Sequence, residues 1–255
     1  MRWRGSWRSF NNLISQVKFS TMNLLLLTPD QISDGQATLT DPRRLKHIAE
    51  HLKLTTGDRI KVGVKDGFKG SAQVLHLTEQ QIVLADLQLT EPPPPKLPVT
   101  LIVALPRPKV LRRLIMDAVT LGVEHIILLH SYRVEKSYWQ TPFLQELDHY
   151  TLLGLEQAGD TVWPTISLKK RFRPFVEDEL PTLCKERLGV VAHPYSDQVM
   201  PVQINQPCVL VIGCEGGFIP FEIDLLRKNG CMPVSLGARI LRTETAIPHI
   251  LGRLF

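Results

Sequence analysis

Short apolar runs alternate with helical patterns from residue 99 to the end of the chain, and this alternation constrains the fold most. The runs cover residues 100–105, 125–129, 189–192, 208–212 and 233–236, and helical patterns at 109–121, 142–157, 220–229 and from 243 onward separate most of them. Strands that are apolar throughout and spaced by helices are typical of a mainly parallel sheet covered on both faces. We therefore predict an α/β fold here, with ligands bound beyond the carboxyl ends of the strands.

Two glycine loops follow neighbouring strands of this predicted sheet. The first spans residues 213–217 and the second residues 235–241, just before a predicted helix at Thr243. Glycine permits backbone angles and a close approach to a ligand that a Cβ atom would forbid. Each loop alone is more often an ordinary turn, and the charged residues near Thr243 are often an ordinary helix start. At one edge of one sheet, the two loops together predict a small-molecule site.

Residues 22–91 have the pattern of a small β-rich domain. Alternation over 59–64, a hairpin signal at Asp66-Gly67 and strand patterns at 72–77 and 81–87 are typical of a small barrel. Asp41-Pro42 predicts the start of one helix in this domain.

A proline-rich run then interrupts the pattern, because consecutive prolines continue neither a helix nor a central strand. The predicted organisation is a tail over 1–21 that is disordered or upstream of the true start, a barrel over 22–91, a linker over 92–98 and an α/β domain over 99–255.

The formal net charge of +5 is concentrated at the start of the chain. Residues 1–21 carry four basic residues and no acid, which leaves 26 basic against 25 acidic residues elsewhere. Contact with a polyanion must therefore depend on local patches. The tail either precedes a true start at Met22 or resembles an organelle transit peptide. The first alternative predicts a cytoplasmic protein, and the second an organellar one.

Other composition features exclude several classes. No apolar run is long enough to span a membrane, and the four cysteines lack zinc-type spacing, so we expect a soluble protein with reduced thiols and no metal. Dinucleotide and phosphate-loop glycine motifs, a serine nucleophile elbow and zinc-protease or zinc-deaminase motifs are all absent. A lone loop histidine, His193, is more often structural than catalytic.

Two segments carry a specific resemblance. Residues 212–218 (IGCEGGF) and 235–246 (SLGARILRTETA) resemble the RsmE family of ribosomal RNA uridine-N3 methyltransferases, in the SPOUT superfamily. Weaker similarity extends over residues 121–123 and 156–159, and over His51-Leu52 and 57–60 in the small domain, which is similar to the family's PUA-like RNA-binding module. The resemblance thus covers nearly everything from Met22 onward.

The resemblance implies a deep trefoil knot, S-adenosylmethionine (SAM) as the cofactor, a homodimer whose interface completes the site, and ribosomal RNA or the small ribosomal subunit as the partner. The cofactor-binding residues it implies are Val191, Ala192, His193, Ile212, Gly213, Glu215, Gly216, Gly217, Ser235, Leu236, Gly237, Arg239, Ile240 and Leu241.

Uracil chemistry assigns the catalytic candidates. Because N3 must lose a proton as it gains the methyl group, cationic donors should stabilise the resulting anion, and we expect Arg242 to do so with Arg239 as a possible partner. Glu215 or Glu244 would accept the proton or orient an arginine. Orientation is favoured, because a carboxylate beside two arginines should be a weak base.

The predicted RNA contacts are basic residues on two helices. They are Arg43, Arg44, Lys46, Arg107 and Lys109, although a solvated helix face is the commoner explanation for the first three.

The chain also departs from the family pattern. It has Cys214 in place of proline, Asp160 in place of arginine, Thr120 in place of glutamate, and Tyr132-Arg133-Val134 in place of Glu-Arg-Ser. Two alternatives therefore stay open: a catalytically silent RNA-binding member of the superfamily, and a methyltransferase for a different RNA nucleotide.

Overall fold

A computed structural model describes residues 24–52 and 54–255. The predictions for residues 1–21, a dispensable upstream tail or a transit peptide, lie outside these residues. The described residues form two compact units, one of residues 24–93 with 159–162, and one of residues 94–158 with 163–255.

The first unit is a curled, six-stranded mixed sheet. Its strands are β1 (Leu25–Leu27), β2 (Ile32–Ser33), β3 (Gln36–Leu39), β4 (Arg59–Val64), β5 (Lys69–Leu77) and β6 (Ile82–Glu91), in the spatial order β1-β4-β5-β6-β3-β2. β1 pairs with β4 in parallel and the other pairs are antiparallel. Register shifts between β5 and β6 increase the local twist. The predicted small barrel is therefore a curled half-barrel.

One short helix covers the core of this sheet. Helix α1 (Pro42–His47) begins where Asp41 Oδ1 accepts a hydrogen bond from Arg44 N at 2.8 Å, and it continues as a π-helical turn, Ile48–Leu52. Leu45 and Ile48 are buried among the strand residues. The helix start predicted from Asp41-Pro42 is thus observed, with a side-chain cap of the usual kind.

Residues 159–162 pack with this first unit. The buried Thr161 accepts a hydrogen bond from Asp66 N at 2.8 Å and donates its hydroxyl to the carbonyl oxygen of Gly67. Asp160 is also buried, and its Oδ1 accepts from Val162 N at 3.0 Å. The carboxylate that departs from the family's arginine therefore makes structural contacts within this unit.

The second unit contains an all-parallel six-stranded sheet, as predicted. Its strands are β7 (Leu97–Ala104), β8 (Val123–Leu129), β9 (Thr165–Lys169), β10 (Leu188–Ala192), β11 (Cys208–Ile212) and β12 (Met232–Val234), in the order β12-β10-β11-β7-β8-β9. Every pair in this sheet is parallel. The sequence analysis did not anticipate β9, an edge strand whose residues are mostly half-buried or exposed and so lack the continuous apolar run of the inner strands.

Helices connect these strands. They are α2 (Pro108–Thr120), α3 (Leu147–Ala158), α4 (Phe172–Pro174) running through a π-helical turn (Phe175–Glu179) into α5 (Leu180–Cys184), α6 (Pro220–Lys228) and α7 (Thr243–Leu254), with 3₁₀ turns at Lys136–Gln140 and Pro142–Leu144. α2 and α3 approach closely at Gly154, where an added Cβ atom would lie 2.9 Å from the carbonyl oxygen of Met116. Thr120 donates its hydroxyl to Gly154 O at 3.2 Å, so this departure from the family pattern supports the α2–α3 contact. Within the two described ranges, no helix combines the length and apolarity that a membrane crossing requires.

Candidate functional site

The carboxyl ends of β10, β11 and β12 meet at one edge of the parallel sheet. β10 lies between the other two strands, so the loops that follow all three are neighbours. They enclose a pocket of about 330 Å³, a volume within the range of small-molecule sites. Its lining residues are Arg133, Ala192, His193, Pro194, Tyr195, Ile212, Gly213, Cys214, Glu215, Gly216, Gly217, Phe218, Leu236, Arg239, Ile240, Leu241, Thr243 and Ala246.

The first glycine loop closes tightly on itself. Gly217 N donates to Cys214 O at 2.8 Å, and a Cβ atom on Gly213 would lie 2.9 Å from Gly217 Cα. Gly217 has a φ of 69°, a backbone conformation that other residues rarely adopt. The loop therefore needs glycine at 213 because of contact and at 217 because of backbone angle, and both residues line the pocket.

Arg133 fixes the outer side of this loop, a contact that the sequence analysis did not assign. Its guanidinium donates to the carbonyl oxygen of Gly216, and a Cβ atom on Gly216 would lie 3.0 Å from Arg133 Cδ. The neighbouring Tyr132 N donates to Glu222 Oε1 at 2.7 Å, and Glu222 Oε2 accepts from Ile219 N at 3.0 Å. Glu222 is only 3% exposed. It thus caps α6 and anchors the segment that carries Arg133.

Glu215 connects the loop after β11 to the loop after β7. Its Oε1 accepts a hydrogen bond from the backbone N–H of Arg107, at the start of α2, at 3.1 Å. β7 and β11 are neighbours, and β7 is where the strand order changes direction, a usual place for ligand sites in parallel sheets.

The second glycine loop has fewer internal contacts at its tip. The buried Ser235 accepts from Gly237 N at 3.2 Å through its hydroxyl oxygen, and Gly237 has a φ of 110°. Beyond this turn, Arg239 and Ile240 line the pocket, and Ile240 is 70% exposed.

Helix α7 joins the two loops at its first turn. The buried Thr243 donates its hydroxyl to Gly213 O at 3.2 Å. Arg242 occupies the N-cap position without a side-chain cap bond, its side chain is 81% exposed, and its Nη1 lies 3.7 Å from Glu244 Oε1. Within the described residues, the buried Glu244 Oε2 has no hydrogen-bond partner.

Burial shifts the pKa of two pocket side chains. It lowers the pKa of His193, which favours the neutral imidazole, and it raises the pKa of the Cys214 thiol. A protonated thiol is a poor nucleophile, so Cys214 acts as an apolar wall where the family has proline. Within the described part of the chain, no group of three or more His, Cys, Asp or Glu side chains is arranged to hold a metal ion.

Most of the predicted cofactor residues meet at this pocket. Those that do not line it are Val191, Ser235 and Gly237, and the predicted catalytic residues Arg242 and Glu244 lie beside it. The sequence analysis omitted several lining residues, namely Arg133, Pro194, Tyr195, Cys214, Phe218, Thr243 and Ala246. Arg133 and Thr243 both lie in segments that the family resemblance had marked.

The predicted RNA-contacting residues fall on two surfaces, one in each unit. Arg107 and Lys109 are exposed at the start of α2, and Arg43 and Lys46 are exposed on α1. Arg44 differs from them, because its guanidinium donates to Leu26 O at 2.7 Å and thereby supports the fold.

Comparison with known proteins identifies the family. A family model described as an RNA methyltransferase domain matches residues 93–254. The ribosomal RNA small subunit methyltransferase E of Treponema pallidum is 31% identical over 232 residues, which cover 88% of this chain and 87% of that protein. Its namesake from Synechocystis is 31% identical over 250 residues, 90% of this chain and 76% of that protein. The chain belongs to the RsmE family.

Solved structures agree with the observed fold. The RsmE protein of Neisseria gonorrhoeae bound to SAM superposes with a TM-score of 0.69 at 22% identity, over 90% of this chain and 95% of that one. A Legionella pneumophila protein in complex with SAM gives a TM-score of 0.73 at 24% identity, with the same coverage. The predicted family, RNA methyltransferase class and α/β fold are therefore confirmed for this RsmE chain.

Proposed function

We propose that this RsmE chain transfers the methyl group of SAM to N3 of a uridine in small-subunit ribosomal RNA. Family membership supports the reaction, and the pocket between the three loops is the observation that carries it. The glycine backbone of residues 213–217 leaves room for close approach, and the pocket lies at the edge of the sheet where parallel folds bind ligands.

The residues present fit this cofactor. Backbone groups of residues 191–193, 213–217 and 235–241 would hold its adenine and methionine parts, with the neutral His193 and the buried Cys214 as uncharged walls. When bound, the sulfonium supplies an electrophilic methyl group. A neutral His193 favours the cationic sulfonium, because an imidazolium would add to the repulsion from Arg133 and Arg239, which also line the pocket.

In this proposal, two arginines at the second loop stabilise the uracil anion. Arg239 lines the pocket, and Arg242 stands at its edge with an exposed guanidinium. Guanidinium donors aimed at the charge that develops on the uracil oxygens would lower the barrier to methyl transfer.

The two carboxylates have different roles in this proposal. Glu215 already accepts the N–H of Arg107, which supports an orienting role for it. Glu244 lies 3.7 Å from Arg242 and retains one oxygen without a partner among the described residues, so Glu244 is the stronger candidate for accepting the N3 proton.

The two parts of the chain divide the work. We assign RNA binding to the PUA-like domain, residues 22–91, through Arg43 and Lys46, and catalysis to the SPOUT domain, residues 99–255, with Arg107 and Lys109 at its RNA-facing edge. The proline-rich segment 92–98 links the two domains.

A homodimer and a knotted chain complete the proposal. Exposed apolar side chains lie in the second loop, at Ile240, and in the segment between β10 and β11, at Tyr195, Val199 and Val202, and a second copy of the chain would cover them. The segment between β10 and β11 pairs with Ser235 through Val199 and bonds to the end of α7 through Gln203 and Ile204. These contacts around the β12–α7 connection support the deep trefoil knot. The cytoplasmic location, or an organellar one if residues 1–21 are a transit peptide, stays a prediction.

Mass spectrometry of ribosomal RNA tests the proposal directly. Small subunits from a strain lacking this gene should carry an unmethylated uridine that the purified protein methylates with SAM. Calorimetry separates the alternative of a silent RNA-binding member, which would bind RNA without binding SAM. A methyl group found on another nucleotide would show that the protein is a methyltransferase with a target other than the proposed uridine.

A further inference from the structure

A cluster of aromatic and basic side chains lies at the carboxyl edge of the parallel sheet, outside the pocket. It consists of Tyr132 and Trp139 with Lys136, Lys170 and Arg171, and we call it the aromatic–basic rim. The first three follow β8, and the last two follow β9. None of the five lines the pocket or belongs to the RNA contacts predicted from the sequence.

The rim is attached to the first glycine loop and to Phe218, the residue that follows it. Arg133, next to Tyr132 in the chain, donates to Gly216 O. Phe172, next to Arg171, packs against Phe218 with ring centroids 6.1 Å apart. A polymer that presents one nucleotide to the pocket would therefore pass over the rim with its neighbouring nucleotides.

The aromatic rings of the rim are available for stacking. Tyr132 is 77% exposed, although its backbone is held rigidly by Glu222. Trp139 is half-buried, and its indole N–H is already used, since it donates to His130 Nδ1 at 2.8 Å. The polar group of Trp139 is thus satisfied, and the exposed part of the ring offers an apolar face.

The cations of the rim differ from their neighbours in sequence. Lys169 pairs with Glu179 at 2.7 Å, and Arg173 pairs with Glu177 at 2.9 Å. Lys136, Lys170 and Arg171 are exposed and form no ion pair with any described residue, and Lys170 Nζ lies 5.9 Å from the centre of the Trp139 ring. In this segment the unpaired cations are therefore the ones that accompany the aromatic rings, whereas Lys169 and Arg173 are neutralised by carboxylates.

Exposed rings interleaved with unpaired cations are the chemistry of single-stranded nucleic-acid binding, in which bases stack on rings and phosphates meet cations. We propose that the aromatic–basic rim binds the single-stranded RNA that flanks the target uridine. Tyr132 and Trp139 stack on bases, and Lys136, Lys170 and Arg171 contact phosphates. This inference rests on the proposed function, because it assigns the path of that substrate.

Substitutions of Tyr132 and Trp139 test whether these side chains stack on RNA bases. The probe is a fluorescently labelled single-stranded RNA decamer of mixed sequence, titrated with the full-length protein alongside small subunits from the deletion strain. Tyr132→Leu should weaken binding about tenfold and raise KM for subunits by a similar factor, with kcat and SAM affinity unchanged. Tyr132→Phe should restore binding, because the ring face remains. Trp139→Phe should retain most of the affinity, and Trp139→Leu should lose it.

Salt dependence tests the cations. Lys170→Ala and Arg171→Ala should each lower the slope of log affinity against log salt by about 0.7, the value for one single-strand phosphate contact. Lys228→Ala is the matched control, since Lys228 is exposed at the end of α6, on the opposite edge of the sheet. The salt dependence of RNA binding by Lys228→Ala should equal that of the wild type.

Three results would overturn the proposal. Unchanged RNA affinity in all rim variants would show that the rim is only a solvated surface. An equal loss in Lys228→Ala would show that the binding is non-specific. Loss of SAM affinity or of the dimer in Tyr132→Leu, measured by calorimetry and sedimentation, would assign that side chain to the fold or to a subunit interface. Failure of the proposed function looks different, because the wild type would then fail to methylate subunits while the rim variants still weakened RNA binding.

Discussion

The two glycine loops of the pocket are built differently. The first, residues 213–217, is held from every side: its turn closes on itself, Arg133 bonds to it from outside, and Thr243 bonds to it from below. The second, residues 235–241, makes its hydrogen bonds with other described residues at its base, through Ser235, and its tip is exposed. The first loop is thus pre-organised by this chain alone, whereas the second presents side chains that only a ligand or a second protein surface would cover.

This difference suggests a division of roles. A loop with fixed peptide groups suits recognition of a small molecule at little entropic cost. A loop with exposed cations and an exposed Ile240 suits the larger substrate and the second subunit. We therefore expect changes in the first loop to affect SAM affinity, and changes in the second loop to affect turnover.

Disrupting the first loop should give the largest effect. Gly217→Val places a β-branched residue at a φ of 69°, while the space around its Cβ atom is open. The domain should therefore fold, but with the turn displaced, and calorimetry should detect no SAM binding. Gly252→Val on the surface of α7 is the control, because its Cβ atom also meets nothing within 4 Å and its φ is not positive. Normal SAM affinity in Gly217→Val would show that the first loop is an ordinary turn with no role in SAM binding.

The second loop should respond in turnover. Arg242→Ala removes a donor to the uracil anion, so the single-turnover rate on small subunits should fall by on the order of a hundredfold with SAM affinity nearly intact. Arg242→Lys should recover the rate only in part, because it lacks the planar fork. Arg227→Ala provides a matched control, since Arg227 is an exposed, paired arginine on α6. Equal losses of SAM affinity and methylation rate would assign Arg242 to SAM binding, and the two loops would then not differ in role.

Removing the hydrogen bond between Thr243 and Gly213, which joins the two loops, should give a third, smaller effect. Thr243→Val preserves shape but leaves the buried carbonyl of Gly213 without its hydroxyl donor, which should destabilise the protein by about 1–3 kcal/mol. If this bond sets the first loop, SAM affinity should also fall by roughly tenfold, as a loss of about 1.4 kcal/mol implies. Thr245→Val, at an exposed position two residues further along the same helix, should change neither the stability nor the SAM affinity. A stability loss without an affinity loss would show that the first loop holds its shape without α7.

The sequence predicted the parts of this site that depend on local pattern. Continuous apolar strands predicted the parallel sheet, and the glycines at 213, 217 and 237 occupy positions where contact or positive φ requires them. It failed where a residue acts across the fold. Glu222 resembles an ordinary acidic residue in the first turn of a helix, and only the structure brings Tyr132 N to its carboxylate. Arg133 likewise lies 83 residues from the carbonyl that it binds.

A comparable limit applied to Asp160. From the sequence, its effect on RNA specificity stays open; in the structure it is buried and bonded to Val162 N within the first unit. Sequence proximity to a functional motif does not indicate where a side chain points when the chain changes units within three residues.

The smallest expected effect concerns His193, which stands on the pocket wall between the two loops. Burial lowers its pKa, so the folded state binds this proton less readily than the unfolded chain does. Below the unfolded pKa of about 6.5, the unfolded state therefore holds more protons. Stability consequently falls as the pH drops through that value and levels off below the folded pKa. An imidazolium forms in the folded protein only as the pH approaches the lowered pKa of His193, and it would repel the sulfonium, so SAM affinity should decline at the acid end of this pH range. His193→Gln should flatten part of both profiles, whereas His249→Gln, at an exposed position on α7, should leave them unchanged. Urea unfolding and SAM calorimetry across this pH range would measure the two, and identical profiles for wild type and His193→Gln would show that the wall between the loops carries no titrating group.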